Sequence, residues 1–507
     1  MSGRYLIIIL LFFGCILPIF FVILRGNFIG MTITELQQQY AAHPNMAVMK
    51  RLLKDTSVQT VFGGGLCASA ASLFSSVLVQ EGGCPFVFIL GDLEEAGYFY
   101  HDLTQILGTE RVLFFPSSFR RSIKYGQKDA ANEILRTEVL SRLQKGEEGL
   151  CIVTYPDALA EKVVSRKELS NKTLKLNVGE KVDTTFITDV LHSYGFEYVD
   201  YVYEPGQYAV RGSIIDVFSF ASEYPYRIDF FGDEVESVRT FEVESQLSRE
   251  KKDGVSIVPD LAVTGDVTTS FLDFIPKETT LAMRDFLWLR ERIQVVHDEA
   301  LTPQAITVQE AEENGGITLE GKLIDGSEFT VRALDFRRLE FGNKPTGTPN
   351  ASVTFNTSAQ PIFHKNFDLV ASSFKDYLEK GYSLYICSDS MKQTDRIKAI
   401  FEDRGDKINF TPVERTIHEG FVDNTLRLCI FTDHQLFDRF HKYNLKSDKA
   451  RSGKVALSLK ELNQFTPGDY VVHTDHGIGR FSGLVRIPNG DTTQEVLKLV
   501  FQNEDVV

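Results

Sequence analysis

Residues 204–241 read EPGQYAVRGSIIDVFSFASEYPYRIDFFGDEVESVRTF, and this stretch decides the fold of the middle of the chain. The Pro205-Gly206 pair suits a type II turn, because glycine supplies the positive φ that the third position of the turn needs. β-forming runs follow, first through Val217 and then over 226–231. Gly232-Asp233 comes directly after them and is typical of a two-residue hairpin. The sequence therefore predicts an antiparallel β-layer.

Charged residues within this layer predict specific contacts. Asp216 lies in a mostly apolar strand, where a carboxylate needs a compensating partner. Arg211 and Arg227 are the two candidates for that role. Arg211 also comes just before Gly212, and a glycine inside a strand allows another backbone to approach closely. The pattern alone is compatible with a purely structural β-layer.

Two segments of this stretch, GQYAVRGSIIDVF and PYRIDFFGDEVESVRTF, resemble the signature of the bacterial transcription-repair coupling factors, known as Mfd. The signature positions in this chain are Arg211, Gly212, Asp216, Gly232 and Asp233. The excision-repair protein UvrB shares this region of the fold. A second segment separates the two families: FTPGDYVVHTDHGIGRFSGL, at 465–484, resembles the RNA-polymerase-interacting module that UvrB lacks. The segment HEGFVD, at 418–423, also resembles the coupling factors.

Composition sets broad limits on function. The chain has 507 residues, of which 43% are hydrophobic and 24% are charged, as is ordinary for globular proteins of several domains. Its net charge of −15 argues against a broad surface for phosphates, so we do not expect this chain to be the main DNA-binding part. The six cysteines lie far apart without a Cys-x-x-Cys pair, which indicates reduced thiols and argues against a zinc ribbon or a disulfide framework.

The N-terminus has two interpretations. Tyr5 to Leu24 is an uncharged run of 20 residues, long enough to span a bilayer as an anchor or an uncleaved signal. However, Met31 opens an ordinary amphipathic helix and makes a plausible translation start, which favours a mis-assigned upstream extension. The family that the chain resembles is cytosolic. We therefore expect a cytoplasmic protein, with membrane attachment as the alternative.

The order of strands, helices and turns predicts a multidomain α/β protein. Strands alternating with helices before residue 155 indicate a parallel sheet with helical cover. Residues 344–350, with two prolines, are expected to form a linker. With names taken from the resemblance, the expected parts are a hydrophobic extension (1–30), a degenerate helicase-like, UvrB-like α/β domain (31–155), an inserted small UvrA-binding domain (156–205), the β-rich second part of the UvrB-like domain (206–345), a second, small α/β domain (360–455) and an incomplete, SH3-like barrel of the CarD type that interacts with RNA polymerase (462–507).

Gly63, Gly64 and Gly65 lie between a predicted strand and a predicted helix, where a P-loop belongs. A working P-loop needs a lysine for the phosphates, but no lysine lies between Lys54 and Lys124. We therefore expect no ATP hydrolysis at this loop, no catalytic residue and no bound cofactor in this chain. The resemblance implies the same, because the UvrB-like unit of the coupling factors is a degenerate helicase module. It also implies that ATP and Mg²⁺ belong to a motor beyond residue 507.

Two polar clusters have structural interpretations that we prefer to metal binding. Asp92 suits a helix N-cap, with Glu95 as its capping-box partner. His473 and His476 would face opposite sides of a strand, and Gly477 beside them favours a turn over a zinc site. We therefore predict no metal site.

A basic run within 156–205 stands out from the acidic chain. It is either a solvated face or a docking surface for an acidic partner. In the family that the chain resembles, the inserted domain binds UvrA. Lys162 and Lys181 fall where that family has partner-contacting arginines, although lysine gives up the bidentate geometry of arginine.

The terminal module is predicted to have short strands, whose edge can add a strand to a partner protein. The residues expected to contribute are Arg480, Val485, Arg486 and Ile487. The resemblance implies that this surface binds the β subunit of RNA polymerase.

The resemblance also implies the overall function, which is transcription-coupled repair. The full protein would recognise RNA polymerase stalled at DNA lesions and recruit the UvrABC machinery through UvrA. It would displace the polymerase with an ATP-driven translocase that holds double-stranded DNA. One alternative is a UvrB-type repair helicase, which needs the missing P-loop lysine. The other is a membrane-tethered scaffold, which depends on Tyr5 to Leu24.

Overall fold

The computed structural model describes residues 30–118, 130–243, 245–261, 268–301, 321–443, 468–473, 477–489 and 492–501. These ranges form two α/β units, one largely antiparallel β unit and a C-terminal three-stranded sheet. The hydrophobic run at 5–24 lies outside the described residues. Among the helices that are described, none is both long and apolar enough to cross a membrane.

The chain begins with strands that alternate with helices, as the sequence predicts. The helix expected near Met31 is confirmed, and Thr32 and Glu35 cap its start reciprocally, each satisfying the backbone N–H of the other. The elements of this stretch are β1 (Met31–Thr32), α1 (Ile33–Ala41), α2 (Pro44–Lys54), β2 (Thr60–Gly64), α3 (Ala70–Glu81), β3 (Phe86–Ile89), α4 (Leu93–Leu107), β4 (Val112–Phe115), α5 (Ala130–Gln144), β5 (Cys151–Thr154), α6 (Pro156–Ala160), β6 (Val163–Val164) and α7 (Arg166–Asn171).

A β unit follows, in which six strands pair in the order β13-β12-β11-β10-β9-β8 and β7 pairs with β14. Its elements are β7 (Leu174–Asn177), α8 (Thr184–Ser193), β8 (Glu197–Tyr198), β9 (Gln207–Arg211), β10 (Ile214–Val217), β11 (Tyr226–Phe231), β12 (Glu234–Phe241), β13 (Ser248–Lys252) and β14 (Gly254–Ile257). The predicted hairpin at Gly232-Asp233 is confirmed, since Phe231 pairs with Glu234 across it and Gly232 has a φ of +62°.

The run predicted up to Val217 is in fact two strands. Arg211 pairs with Ile214, and Gly212 between them has a φ of +63°. A Cβ on Gly212 would have no neighbour within 4 Å, so this glycine serves a second hairpin and not a close backbone approach. The hairpin folds the predicted run back on itself.

The β unit has a core of its own, which includes Leu176, Ile215 and Ile257. By contrast, Val163 and Leu169 are buried in the larger core of the first α/β unit. The β unit therefore runs from β7 to β14, whereas the sequence suggested an insertion over 156–205. The physical reason is that α6, β6 and α7 bury their apolar side chains against the parallel sheet.

The chain then returns to the first α/β unit and completes a parallel sheet of seven strands in the order β18-β2-β17-β16-β3-β5-β4. The predicted parallel sheet is confirmed. The elements that complete this unit are β15 (Thr268–Thr269), α9 (Phe271–Phe274), β16 (Thr280–Met283), α10 (Phe286–Ala300), α11 (Gly326–Ala333), β17 (Arg337–Gly342) and β18 (Ala351–Thr354).

The linker expected over 344–350 is fixed to this sheet. Asn350 Oδ1 accepts hydrogen bonds from the amides of Gln59 and Thr60, at 3.0 and 2.9 Å. Asn350 thereby places β18 beside β2 as an edge strand. The prolines of the segment suggested a free linker, but its last side chain satisfies two backbone donors of another strand.

The second α/β unit has a mixed sheet in the order β1-β21-β20-β23-β22-β19, in which β1, from the start of the described chain, pairs in parallel with β21. Tyr385 and Val413 of this sheet are buried in the core of the first unit, so the two units share that apolar core. The other face of the sheet packs a separate core that includes Phe374, Ile386 and Phe431. The elements are β19 (Thr357–Ala359), α12 (Phe367–Glu379), β20 (Ser383–Ser388), α13 (Met391–Asp403), β21 (Thr411–Glu414), β22 (Phe421–Asp423), β23 (Leu428–Thr432) and α14 (Asp433–Leu436).

The C-terminal sheet consists of β24 (Tyr470–His473), β25 (Gly477–Asn489) and β26 (Thr492–Val500), paired antiparallel in chain order. With 13 residues in β25 and 9 in β26, its main strands are longer than the sequence suggested. His476 lies outside the described residues. The three described strands form a meander, and the SH3-like barrel remains a prediction.

Replacing Asn350 by Ala should lower the free energy of unfolding by about 1 kcal/mol, because the amides of Gln59 and Thr60 at the start of β2 lose their acceptor. Thermal denaturation of the full chain measures this. The matched control is Ser352→Ala, an exposed change in the next strand, which should cost less than about 0.5 kcal/mol. Equal and small effects of both changes would mean that 344–350 is a free linker after all.

Candidate functional site

The glycine loop at 63–65 is covered by protein backbone. Gly63 and Gly64 lie in β2, and Gly65 has a φ of +75°. A Cβ on Gly65 would overlap the carbonyl oxygen of Phe355, so the chain that leaves β18 lies directly on the loop. The Phe355 amide also donates to the Gly64 carbonyl at 2.8 Å. Only glycine fits this approach.

The N–H groups after the glycines already have protein acceptors. The Gly65 amide donates to the Gly342 carbonyl at 3.3 Å, and the Cys67 amide donates to Thr357 Oγ1 at 3.1 Å. Ser69 and Glu419 bond reciprocally, because the Ser69 amide donates to the Glu419 carbonyl at 3.3 Å and the Glu419 amide donates to Ser69 Oγ at 2.9 Å. In a P-loop the amides at these positions are free and bind phosphate. Here they bind protein groups.

A cleft of about 340 Å³ opens beside Ser69, and acidic groups dominate its wall. Arg284 also lines the cleft, but its Nη2 lies 2.7 Å from Glu95 Oε1. Burial raises the pKa of Asp102 to about 6. The carboxylates in the wall belong to Asp92, Glu94, Glu95, Asp102 and Glu419. A triphosphate would meet like charge here, which disfavours its binding.

The structure describes the Asp92 and Glu95 cluster in full and the His473 and His476 cluster only in part. Asp92 is the N-cap of α4, as predicted, and accepts from the Glu95 amide at 2.9 Å. The capping-box assignment of Glu95 is wrong by one residue, because Glu95 Oε2 accepts from the Gly91 amide at 2.8 Å. In the part of the chain that the structure describes, no group of three His, Cys, Asp or Glu side chains is arranged to hold a metal ion. His473 pairs with Gly477 across 474–476, which lie outside the description.

The predicted partners of Asp216 are both present. Asp216 is fully buried. Arg227 donates two hydrogen bonds to it, from Nε to Oδ1 at 2.8 Å and from Nη2 to Oδ2 at 2.9 Å. Arg211 Nη2 also donates to Asp216 Oδ2. These bonds raise the pKa of Arg227, whose guanidinium also lies 4.5 Å from the ring centre of Phe241. Two of the signature residues, Arg211 and Asp216, therefore hold β9, β10 and β11 together from inside, with Arg227 as the third member of the contact.

The two lysines predicted to contact a partner lie in different units. Lys181 is exposed on the β unit. Its backbone forms an isolated antiparallel β-bridge with Glu234, beside the Gly232-Asp233 hairpin. Lys162 belongs to the first α/β unit, where its Nζ donates to the Gly321 carbonyl at 3.0 Å. The structure thus brings Lys181, and not Lys162, next to the signature hairpin.

An exposed aromatic residue beside this hairpin was missed in the sequence. Phe231 is 80% exposed and pairs with Glu234, the same residue that Lys181 bridges. The signal was present, because FF directly before a Gly-Asp turn breaks the alternation of buried and exposed positions. Tyr198, Tyr201 and Tyr203 of the same unit are also exposed.

The C-terminal sheet presents an edge and apolar side chains. β24 is an edge strand of the three that are described, and Arg480 pairs with Tyr470 on it. Val485 is exposed and pairs with Val496, whereas Tyr470 and Ile478, which the sequence reasoning missed, are exposed by 78% and 67%. Arg486 and Ile487 continue β25, opposite Glu495 and Gln494.

Two family models match parts of this chain. The model described as UvrB interaction domain covers residues 174–262, and the model described as CarD-like/TRCF RID domain covers residues 465–507. The first match coincides with the β unit, from β7 to β14. The second match contains the three-stranded sheet. Both matches therefore fall on structural units that the strand pairing defines independently.

Curated relatives match most of the chain. A "Transcription-repair-coupling factor" of Staphylococcus aureus (strain bovine RF122 / ET3-1) is 22% identical over 91% of this chain and 46% of that protein. The protein of the same name from Bacillus subtilis (strain 168) is 22% identical over 87% of this chain and 43% of that protein. The chain spans slightly less than half the length of these relatives.

Gly65→Ala should destabilise the full chain by about 3 kcal/mol, since a Cβ there combines left-handed strain with overlap on the Phe355 carbonyl. Gly212→Ala is the control, because it carries the same positive φ in open space and should cost about 1 kcal/mol. Chemical denaturation compares the two. Similar losses would show that the chain after β18 does not press on the loop.

Asp216→Asn should lower the free energy of opening, measured at the amides of β10 and β11, by about 3 kcal/mol, because two guanidinium groups lose their counter-charge. Hydrogen exchange of the full chain measures this strand by strand. Asp229→Asn is the control, since Asp229 is partly exposed and pairs with Arg239 at 3.5 Å. Asp229→Asn should lower the free energy of opening by less than about 1 kcal/mol. A smaller effect at Asp216 than at Asp229 would contradict the internal role of this contact.

Proposed function

We propose that this chain, which is similar to transcription-repair-coupling factors and resembles their N-terminal portion, is the adaptor part of a transcription-coupled DNA repair factor. In this proposal the β unit binds UvrA and the C-terminal sheet binds the β subunit of RNA polymerase. The observation that carries the proposal is the separation of the two matched surfaces. Each lies on its own unit, outside the core that the α/β units share.

The surface proposed for UvrA is centred on the signature hairpin. Lys181 and Phe231 flank Glu234 from opposite sides, so an exposed cation and an exposed aromatic ring lie within two strand positions of each other beside the hairpin. Aromatic side chains are enriched in protein interfaces, and a charge at the rim of an interface steers a partner of opposite charge. Asp216 supports this surface from inside, since it fixes the strands that carry the hairpin. Lys162 would contribute only at the periphery.

The surface proposed for RNA polymerase is the edge of the C-terminal sheet. An edge strand offers unpaired backbone groups to which a partner strand can add, and exposed side chains next to it supply specificity. Tyr470 and Ile478 are exposed at this edge, and Arg480 is paired with Tyr470. Val485, Arg486 and Ile487 would extend the contact along β25.

The first α/β unit would serve as a scaffold without nucleotide. The amides of Gly65 and Cys67 donate to Gly342 and Thr357, and the adjoining cleft is acidic. We therefore assign ATP-driven displacement of the polymerase, and the binding of double-stranded DNA, to the part of the coupling factors that this chain does not match. That part is more than half of the length of the curated relatives.

Charge reversal should separate the two proposed surfaces. With the full chain immobilised, Lys181→Glu should weaken binding of purified UvrA about tenfold and leave binding of RNA polymerase unchanged. Arg480→Glu should do the reverse. Biolayer interferometry gives both affinities for each variant.

Lys162→Glu is the matched control in the same assay, since it reverses a charge outside the β unit and should change UvrA binding less than threefold. Loss of UvrA binding in Lys162→Glu but not in Lys181→Glu would contradict the proposed surface. Loss of both partners in a single variant would contradict their separation.

A further inference from the structure

The chain from Asp438 to Tyr443, here called the strap, lies on α4 of the first α/β unit. A Cβ on Gly97 of α4 would come within 2.5 Å of the Tyr443 ring, so that ring sits against the helix backbone. Tyr98 Oη donates to the His441 carbonyl at 2.9 Å, and the Tyr98 and Tyr443 rings meet edge to face at 4.9 Å. The strap is the last described segment before the C-terminal sheet.

Four imidazoles gather where the strap meets α4. The ring of His441 stacks on His434 at 4.5 Å and lies 5.2 Å from His101 and 6.1 Å from His418. The His418 ring in turn stacks on Tyr98 at 3.5 Å. This imidazole cluster joins α4, the loop before β22, helix α14 and the strap. His441 is the member that the strap contributes.

The cluster is built for neutral rings. His434 Nε2 donates to the His418 carbonyl at 2.8 Å, but His101 Nε2, His418 Nδ1 and His441 Nδ1 are buried without a hydrogen-bond partner in the described part of the chain. Burial lowers the pKa of His101, His418 and His434 to about 4, and it also lowers the pKa of His441. The imidazole of His441 lowers the pKa of His101 and His418 further.

Other charged groups around the cluster do not reverse this balance. Asp389 and Asp433 favour protonation of His441, while Arg439, which lies 2.7 Å from Asp433, opposes protonation of His434. Burial raises the pKa of Asp433. The remaining titratable groups nearby are Glu94, Tyr98, Asp102, Cys387, Glu419 and Tyr443. Burial still decides the direction for all four histidines.

We propose that the strap is a proton-releasable clamp: the neutral imidazole cluster holds residues 438–443 on α4, and protonation of the cluster releases them. While the strap is docked, the chain that leads to the C-terminal sheet departs from a fixed point on the first α/β unit. Release would lengthen the tether of that sheet. The second α/β unit thereby gains a role, since it carries the strap and two of the imidazoles.

The direction of the pH dependence follows from the pKa shifts. An exposed histidine has a pKa near 6.5, whereas burial in the cluster lowers the pKa of His101, His418 and His434 to about 4 and also lowers the pKa of His441. The docked state is therefore fully favoured above pH 6.5 and loses stability as the pH falls towards 4. Each imidazole that gains exposure on release contributes about a tenfold shift between pH 7.5 and 5.5.

The test uses hydrogen exchange of the full chain at pH 7.5, followed on the strap amides of Asp438 and Arg439, which donate to the Gln435 and His434 carbonyls. Gly97→Ala improves intrinsic helix propensity, yet its methyl group occupies the place of the Tyr443 ring. Protection of the strap should fall at least tenfold, while α4 stays protected. Tyr443→Ala should cause the same loss, and the double variant should add nothing. An unprotected strap in the wild type, or full protection in Gly97→Ala, would overturn the proposal.

The proton dependence is tested by repeating the exchange at pH 5.5, corrected with an unstructured peptide of the strap sequence. Strap protection should fall at least tenfold, while protection in β20 and β23 stays constant. His441→Phe keeps an aromatic ring in the stack but cannot be protonated, so its strap should show a weaker pH dependence. Equal protection at both pH values in the wild type would overturn release by protons.

Discussion

The approach of the Phe355 carbonyl to Gly65 is the contact on which the rest of the architecture depends. It lies where the chain passes from the first α/β unit to the second, and it fixes β18 and β19 against the glycine loop. Thr357 reinforces it, since its hydroxyl donates to the Gly65 carbonyl at 2.7 Å and accepts from Cys67. The loop geometry of a nucleotide site is thus used to join two units.

This junction joins the two α/β units, from which the two surfaces proposed for docking are separate. The two α/β units share one core, to which Tyr385 and Val413 of the second unit contribute. The β unit has a separate core and is tied together by the buried Asp216. The C-terminal sheet follows the strap. Separate cores for the α/β units and the β unit suit the proposed adaptor, since a contact on one unit leaves the core of the other unchanged.

The sequence predicted what depends on neighbouring residues. Strand and helix positions, the Gly232 hairpin and the partners of Asp216 all follow from local pattern and from the cost of a buried charge. It did not predict contacts between distant segments. The Cys67 amide and Thr357 are 290 positions apart, and β1 pairs with β21 across most of the chain. The limits of the β unit were also missed, because only packing shows which core buries Val163 and Leu169.

The most direct test of this account is hydrogen exchange at residues 63–69 of the full chain, with and without saturating ATP and Mg²⁺. The amides of Gly65, Cys67 and Ser69 donate to protein acceptors, so the account predicts identical exchange in both conditions. Slower exchange at these amides with nucleotide, together with faster exchange around Phe355 and Thr357, would show that the loop opens to take phosphate. That result would contradict a closed loop and the adaptor role built on it.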